Sequence, residues 1–378
     1  MRKIIALVLT TVLIFSLFAA CGNTATKEQE IINTENASQI TEENISTETE
    51  NEQTERIFVD DLGRSVQLPS TISKIAVSGP LTQIYILPIA SDIMVGYANE
   101  FSNDAKKYIS EDFLELPALG QLYGGKGTMD LEALLAAAPE VVIDIGEEKD
   151  NMTEDLDNLS EQTGIPFVHI NATVDTSAST YRKLGQLLNR EEKAEELAKY
   201  LEDVLDNVNS IMEKVDNDNA RKTVLYCLGD KGLNVLAEKS YHAETINLVA
   251  KNCAEIEEVN ASGAGNEVDM EQIIMWNPEV IIFAPESIYE SVSEDSSWKQ
   301  LDAIKNGEYY ETPFGPYGWL QSPPAVQRYL GLIWLTSILY PDYCNFNLKD
   351  EVIEYYEIFY NYNLSETDYE ELVSNAVK

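Results

Sequence analysis

Residues 130–143 read DLEALLAAAPEVVI, and residues 269–282 read DMEQIIMWNPEVII. Six of the 14 positions are identical: Asp130/Asp269, Glu132/Glu271, Pro139/Pro278, Glu140/Glu279, Val141/Val280 and Ile143/Ile282. Most of the rest exchange one apolar residue for another. Each copy predicts a helix, a Pro-Glu turn and a buried parallel strand. One such unit is common in α/β proteins. Two of them, 139 residues apart, predict two similar lobes.

Between the copies lies a long helical stretch. Leu197, Leu201, Val204, Val208, Ile211 and Val215 recur at spacings of four and three, which makes one apolar stripe on one helix. Asn189 is the expected cap, with Glu192 reaching back to it. From 190 to 215 the helix would be about 39 Å long. Further strands are expected at Ile75–Ser78, Met94–Tyr97, Val141–Ile145, Phe167–Ile170, Val224–Leu228, Val280–Phe283 and Tyr309–Glu311. A late helix is expected from Pro323 to Tyr340, ended by Pro341. The fold class is therefore α/β, with two similar α/β lobes joined by one long helix. The N-terminal lobe is expected over 57–175, connecting helices over 176–215 and the C-terminal lobe over 216–378. A cleft between such lobes suits a small ligand.

The 378 residues carry 26 Lys plus Arg against 65 Asp plus Glu, a formal net charge of -39. A nucleic-acid binder needs a basic face, so this balance argues against one. It also argues against docking on anionic lipid through a basic patch. Only two histidines, His169 and His242, are present, which excludes a His-rich metal site.

Arg2 and Lys3 precede an apolar run from Ile4 to Ala20, short for a spanning helix and ending in small residues before Cys21. Residues 1–20 read as a secretory signal. Leu17-Phe18-Ala19-Ala20-Cys21 resembles a bacterial lipobox, with Phe18 where Leu is commoner. Lipid on Cys21 would anchor the chain outside the cytoplasmic membrane. Residues 21–56, rich in Glu, Thr, Asn and Ser, read as a disordered acidic tether. Cys227, Cys253 and Cys344 allow at most one disulfide and read better as small apolar residues.

Three stretches carry a family resemblance. They are VDDLGRSVQLPSTISKIAV at 59–77, MDLEALLAAAPEVVID at 129–144 and WKQLDAIKNGEYY at 298–310. Together, over about 57–345, they resemble the substrate-binding lipoproteins of iron-siderophore, haem and cobalamin ABC importers. The resemblance implies a rigid helical connector, modest closure on binding, and partners in an ABC permease dimer with its ATPase subunits. It implies that Glu132 and Glu271, equivalent in the two repeats, dock onto permease arginines. Both would also suit a helix first turn simply through the helix dipole.

Ligand contacts are expected in loops after strands. The candidates are Ser78-Gly79-Pro80, Tyr123 and Lys126 in the Gly120–Thr128 loop, and Tyr241-His242. In the run Phe314–Trp319, Tyr317 and Trp319 would line the cleft or pack on the helix that follows. Arg328 lies on that helix. The loop GQLYGGKG lacks the Ser or Thr that a phosphate loop needs after Gly-Lys. No catalytic constellation, metal site or cofactor is expected, although a cleft enzyme such as a metal chelatase is the enzymatic alternative. Lys126 and Arg328 in an acidic body favour an anionic ligand. That ligand would be a metal chelate resting on aromatic rings, or an oxyanion such as molybdate or tungstate held by hydroxyls and backbone N–H groups.

Overall fold

The structure is a computed structural model, and it describes residues 55–123, 127–260 and 262–378. Cys21, the signal segment, Lys126 and nearly all of the tether lie outside the described residues. An antiparallel hairpin opens the described chain, β1 (Glu55–Val59) on β2 (Ser65–Pro69). It takes in Glu55 and Arg56, which composition assigned to the tether.

The N-terminal lobe is built on three parallel strands, β3 (Ile75–Val77), β4 (Val141–Gly146) and β5 (Phe167–Asn171), with β4 in the middle. Every residue of β3 and β4 is buried, as strands covered on both faces must be. Helices α1 (Pro80–Ala90), α2 (Leu131–Ala137) and α3 (Met152–Thr163) connect or cover them. The expected strand Met94–Tyr97 is instead two single bridges, Ile75 to Met94 and Tyr97 to Ala118. Gly96 is pressed between them: a Cβ there would fall 2.7 Å from the Pro117 carbonyl, so the chain crosses the edge without a ladder.

Helix α4 (Ser177–Leu188) then turns into α5 (Glu191–Asn217). All six residues of the predicted stripe are buried. Burial of each stabilises the connector by about 1.5–3 kcal/mol. The predicted cap is wrong. Asn189 ends α4 in the left-handed conformation, φ 55°, and Arg190 occupies the cap of α5 with no side-chain bond to the helix N-terminus. A sharp αα turn needs a residue that tolerates positive φ, and Asn does so at low cost. Gly185 lets the two helices touch, since a Cβ there would lie 2.5 Å from the Ala194 Cβ.

The C-terminal lobe has β6 (Thr223–Leu228), β7 (Asn234–Val235), β8 (Lys251–Asn252), β9 (Asn266–Glu267), β10 (Val280–Phe283) and β11 (Tyr309–Glu311). Strand β10 lies between β6 and β11, all parallel, as β4 lies between β3 and β5. Helices α6 (Glu244–Val249) and α7 (Met270–Trp276) precede β8 and β10. The late helix α8 runs Arg328–Leu339, five residues shorter at its start than expected. The Ser322–Pro323 bond is cis, and residues 323–327 are bends and a turn before the helix. Helices α9 (Leu348–Tyr360) and α10 (Glu366–Leu372) follow.

Residues 348–378, assigned by sequence to the C-terminal lobe, also hold the N-terminal one. Tyr108 meets Tyr356 and Tyr362 edge-on at 5.2 and 5.0 Å, while Asn375 pairs with Glu311 of β11. Cys227, Cys253 and Cys344 are free thiols, Cys227 fully buried. Among the described residues no helix is long and apolar enough to cross a membrane.

Candidate functional site

A cavity of about 270 Å³ is lined from both lobes. Its N-terminal wall begins where β3 gives way to α1. Pro80 occupies the first helical position, where its missing N–H costs nothing, and Ser78, Gly79, Leu81 and Thr82 line the opening. The carboxyl end of β4 adds Asp144 and Ile145, and the loop beyond adds Glu147 and Lys149. Gln121 and Tyr123 complete this side. The C-terminal wall is Tyr241, His242, Ser262, Gly263, Pro323 and Pro324.

Hydrogen bonds sew the N-terminal wall together. The Ser78 hydroxyl donates to the Asp144 carboxylate and accepts from Thr82 Oγ1 at 2.9 Å. Thr82 Oγ1 in turn accepts the Ile145 N–H at 2.9 Å. The other Asp144 oxygen meets His169 Nδ1 at 2.6 Å, and His169 Nε2 meets Asn171 Oδ1 at 3.1 Å. His169 is fully buried. Burial alone would lower its pKa, but the hydrogen bond and charge of Asp144, with Asn171 and Asp60, outweigh it and hold the pKa above the usual value.

The Tyr123 hydroxyl has no hydrogen-bond partner among the described residues. Burial, with Asp144 and Asp155 nearby, pushes its pKa up. Lys149 Nζ stands 4.9 Å from the Tyr123 ring centroid. Burial also raises the pKa of Glu147.

The C-terminal wall is fastened differently. The Tyr241 hydroxyl donates to the Ala172 carbonyl at 2.6 Å, across to the N-terminal lobe. Arg328 packs on the Tyr241 ring at 4.9 Å and pairs with Glu244 at 2.6 Å. Glu244 also accepts the Val174 N–H at 3.0 Å. His242 Nδ1 lacks a partner among the described residues, and burial lowers the pKa of His242.

Ser78, Gly79, Pro80, Tyr123, Tyr241 and His242 thus line one cavity. Three candidates do not. Arg328 is 1% exposed and acts behind Tyr241. Tyr317 is buried, its hydroxyl accepting from Gln83 Nε2 at 2.9 Å. Trp319 is fully buried, and its carbonyl sits where a Cβ on Gly331 of α8 would be 2.4 Å away. The aromatic loop packs on α8 because the glycine leaves room for it. Glu132 and Glu271 are exposed in the first turns of α2 and α7.

Sequence reasoning missed Asp144, Glu147 and Lys149. Their signal was present: charged residues at or just beyond the carboxyl end of a buried parallel strand stand at the crevice there. Gln121, Ser262, Gly263, Pro323 and Pro324 carry no local signal.

The sequence model of the Periplasmic binding protein family matches residues 77–315. The chain belongs to that family. Its likeness to an ABC transporter solute binding protein from Sulfurospirillum deleyianum extends over 84% of this chain and 99% of that one, at 29% identity and a TM-score of 0.77. Two further structures share the fold. The molybdate periplasmic binding protein MolA of Haemophilus influenzae is 20% identical, with a TM-score of 0.62, covering 82% of this chain and 99% of that one. The catecholate-siderophore binding protein VctP of Vibrio cholerae is 16% identical, with a TM-score of 0.55, covering 76% and 100%. No curated protein matches. The chain is an extracytoplasmic solute-binding component of an ABC transporter.

Proposed function

We propose that the chain captures an iron complex of the siderophore type, anionic overall, and delivers it to its permease. One observation carries the ligand class: the cavity is walled by rings and prolines, yet two carboxylates, Asp144 and Glu147, line it beside a single cation, Lys149, among the described residues. A bare oxyanion would meet those carboxylates directly, without the shielding of a ligand's organic shell. A chelate spreads its charge and can rest on Tyr123, Tyr241 and Pro80, Pro323 and Pro324. The partnerless Tyr123 hydroxyl and His242 Nδ1 are available for polar contacts once it is seated. The aromatic loop at 314–319 no longer supports this reading. A second reading, an oxyanion, draws on α1, whose first N–H groups open beside the cavity, and on the molybdate bound by MolA.

In this account Cys21 carries the lipid anchor, and Glu132 and Glu271 dock on the permease as two exposed carboxylates on equivalent helices. Calorimetry against a ferric tris-catecholate complex, haem, cobalamin, molybdate and tungstate tests the ligand class. The ferric complex should bind and Tyr123→Ala should weaken it at least several-fold. Tight molybdate or tungstate binding, with no response to any chelate, would replace the iron complex by the oxyanion.

A further inference from the structure

We propose that His169, which does not line the cavity, sets the charge of the wall that does: its imidazolium balances Asp144 and so adapts that wall to an anionic ligand. The inference rests on the cavity being the ligand site, as proposed above. Asp144 is the hinge of the argument. It lines the cavity, receives the Ser78 hydroxyl on one oxygen and holds His169 Nδ1 at 2.6 Å on the other. A short contact of that kind between a fully buried imidazole and a carboxylate is a charge-assisted bond when the ring is protonated.

The surroundings favour the proton. On β5, Asn171 Oδ1 takes the second ring N–H at 3.1 Å. From the β1–β2 turn, Asp60 accepts the His169 backbone N–H at 3.2 Å and is itself paired with Arg64 at 2.6 Å. Arg64 also donates to the Phe167 carbonyl at 2.8 Å. Asp61 accepts the Asn171 N–H at 2.9 Å and is paired with Lys183 of α4. From the β3–α1 junction Ser78, and from α1 Thr82, both neutral, reach the Asp144 side. Glu147, Lys149 and Tyr123 face Asp144 from the cavity.

With the proton on His169, Asp144 is balanced, Ser78 is fixed as a donor to it, and Lys149 is left to offset Glu147. Without the proton, the wall gains one uncompensated negative charge beside the ligand. The two histidines of the chain are pushed in opposite directions, His169 up and His242 down, so between their titrations one is charged and the other neutral. His169 is a positioning residue: it acts on a ligand through Asp144.

Because the chain has only these two histidines, ring labelling of the full chain with carbon-13 histidine gives two NMR signals. Titration should show one ring holding its proton above the ordinary histidine range and the other losing it below. Asp144→Asn should bring the high one down below the ordinary value, and His169→Gln should remove that signal and identify it. A neutral His169 at pH 6, or a titration unmoved by Asp144→Asn, overturns the proposal. The ferric tris-catecholate complex is the anionic probe for the consequence. Its affinity should fall several-fold as pH rises through the His169 titration, and His169→Gln should flatten that profile. Normal titration with a pH-independent affinity in the wild type also overturns it. Failure of the probe to bind at any pH, with the expected titration intact, instead removes the iron-complex reading and leaves the charge assignment standing on the NMR.

Discussion

The two repeats build the same scaffold and then part company. In each, an aspartate caps a seven-residue helix: Asp130 accepts the N–H groups of Glu132 and Ala133, and Asp269 accepts that of Gln272. Each helix ends in a left-handed residue, Ala138 at φ 50° and Asn277 at φ 41°. Each Pro-Glu turn then ties the start of the neighbouring strand. Glu140 accepts the N–H groups of Ser73 and Lys74 ahead of β3, and Glu279 accepts that of Thr223 at the head of β6. Beyond the strand the likeness stops. The end of β4 delivers Asp144, Glu147 and Lys149 to the cavity, whereas no residue from the end of β10 lines it. The C-terminal wall comes from elsewhere, as rings and prolines fastened by Arg328. The repeated unit forms the frame, and the charged chemistry resides on one side of it. The shared carboxylates likewise divide into two kinds, Glu132 and Glu271 free on the surface, Glu140 and Glu279 at work within the fold.

That division predicts the largest effect. Glu132→Lys with Glu271→Lys should abolish cellular uptake while calorimetry finds ligand affinity nearly unchanged, since like charges at a permease interface cost several kcal/mol. Normal uptake by this double variant would break the assignment. Glu140→Ala and Glu279→Ala should do the opposite, each lowering stability in urea by about 0.5–1.5 kcal/mol by removing the acceptor of strand-end N–H groups. The Glu279 contribution has a pH signature. Its burial would raise the pKa, but bonds from Thr223 and Lys222 prevail and hold it below the usual value. The stability it adds is therefore present above the unfolded-state value near 4.5 and lost as pH falls through the lower folded one. Urea midpoints of wild type and Glu279→Ala should converge in acid; midpoints that stay equally separated would contradict this.

The two cavity tyrosines sharpen the contrast between walls. Tyr241→Phe should cost about 0.5–1.5 kcal/mol, because its hydroxyl is spent on Ala172. Tyr123→Phe should leave stability nearly unchanged and weaken the ligand instead, its hydroxyl being unused in the free protein. Equal effects on stability would erase the distinction. The smallest effect is at the helix ends. Ala138→Gly should stabilise by about 0.5–1 kcal/mol, since Ala adopts positive φ at a cost that Gly does not bear. Asn277→Gly should gain less.

Legibility followed the physics of each feature. The repeat and the stripe on α5 are periodic signals, and the strands at 75, 141, 167, 224, 280 and 309 are short runs, most of them continuously apolar; both kinds survive in a single sequence. The cap at Asn189 and the start of α8 were misread because both depend on tertiary turns. Asn189 was needed to close one helix rather than open the next, and 322–327 take bends and a turn ahead of α8. At the site, residues next to glycine or proline after a strand were readable. Tyr317 and Trp319 were not, because Trp319 packs where Gly331 of α8 leaves room and Tyr317 is held by Gln83 and Phe101 of the other lobe, distant partners that no local pattern gives. Asp144 and Lys149 are marked only by their place at and beyond the carboxyl end of the repeat's strand, not by an unusual local composition.

The central claim is that the cavity between the two lobes holds an iron complex against Tyr123 and Tyr241. A crystal structure of the full chain grown with the ferric tris-catecholate complex tests it most directly, since the iron marks its own position by anomalous scattering. The account predicts iron between these two rings, within contact of Lys149 and His242. Iron seated elsewhere would contradict it, above all in the separate groove where Leu87 and Lys107 face Tyr360 of α9.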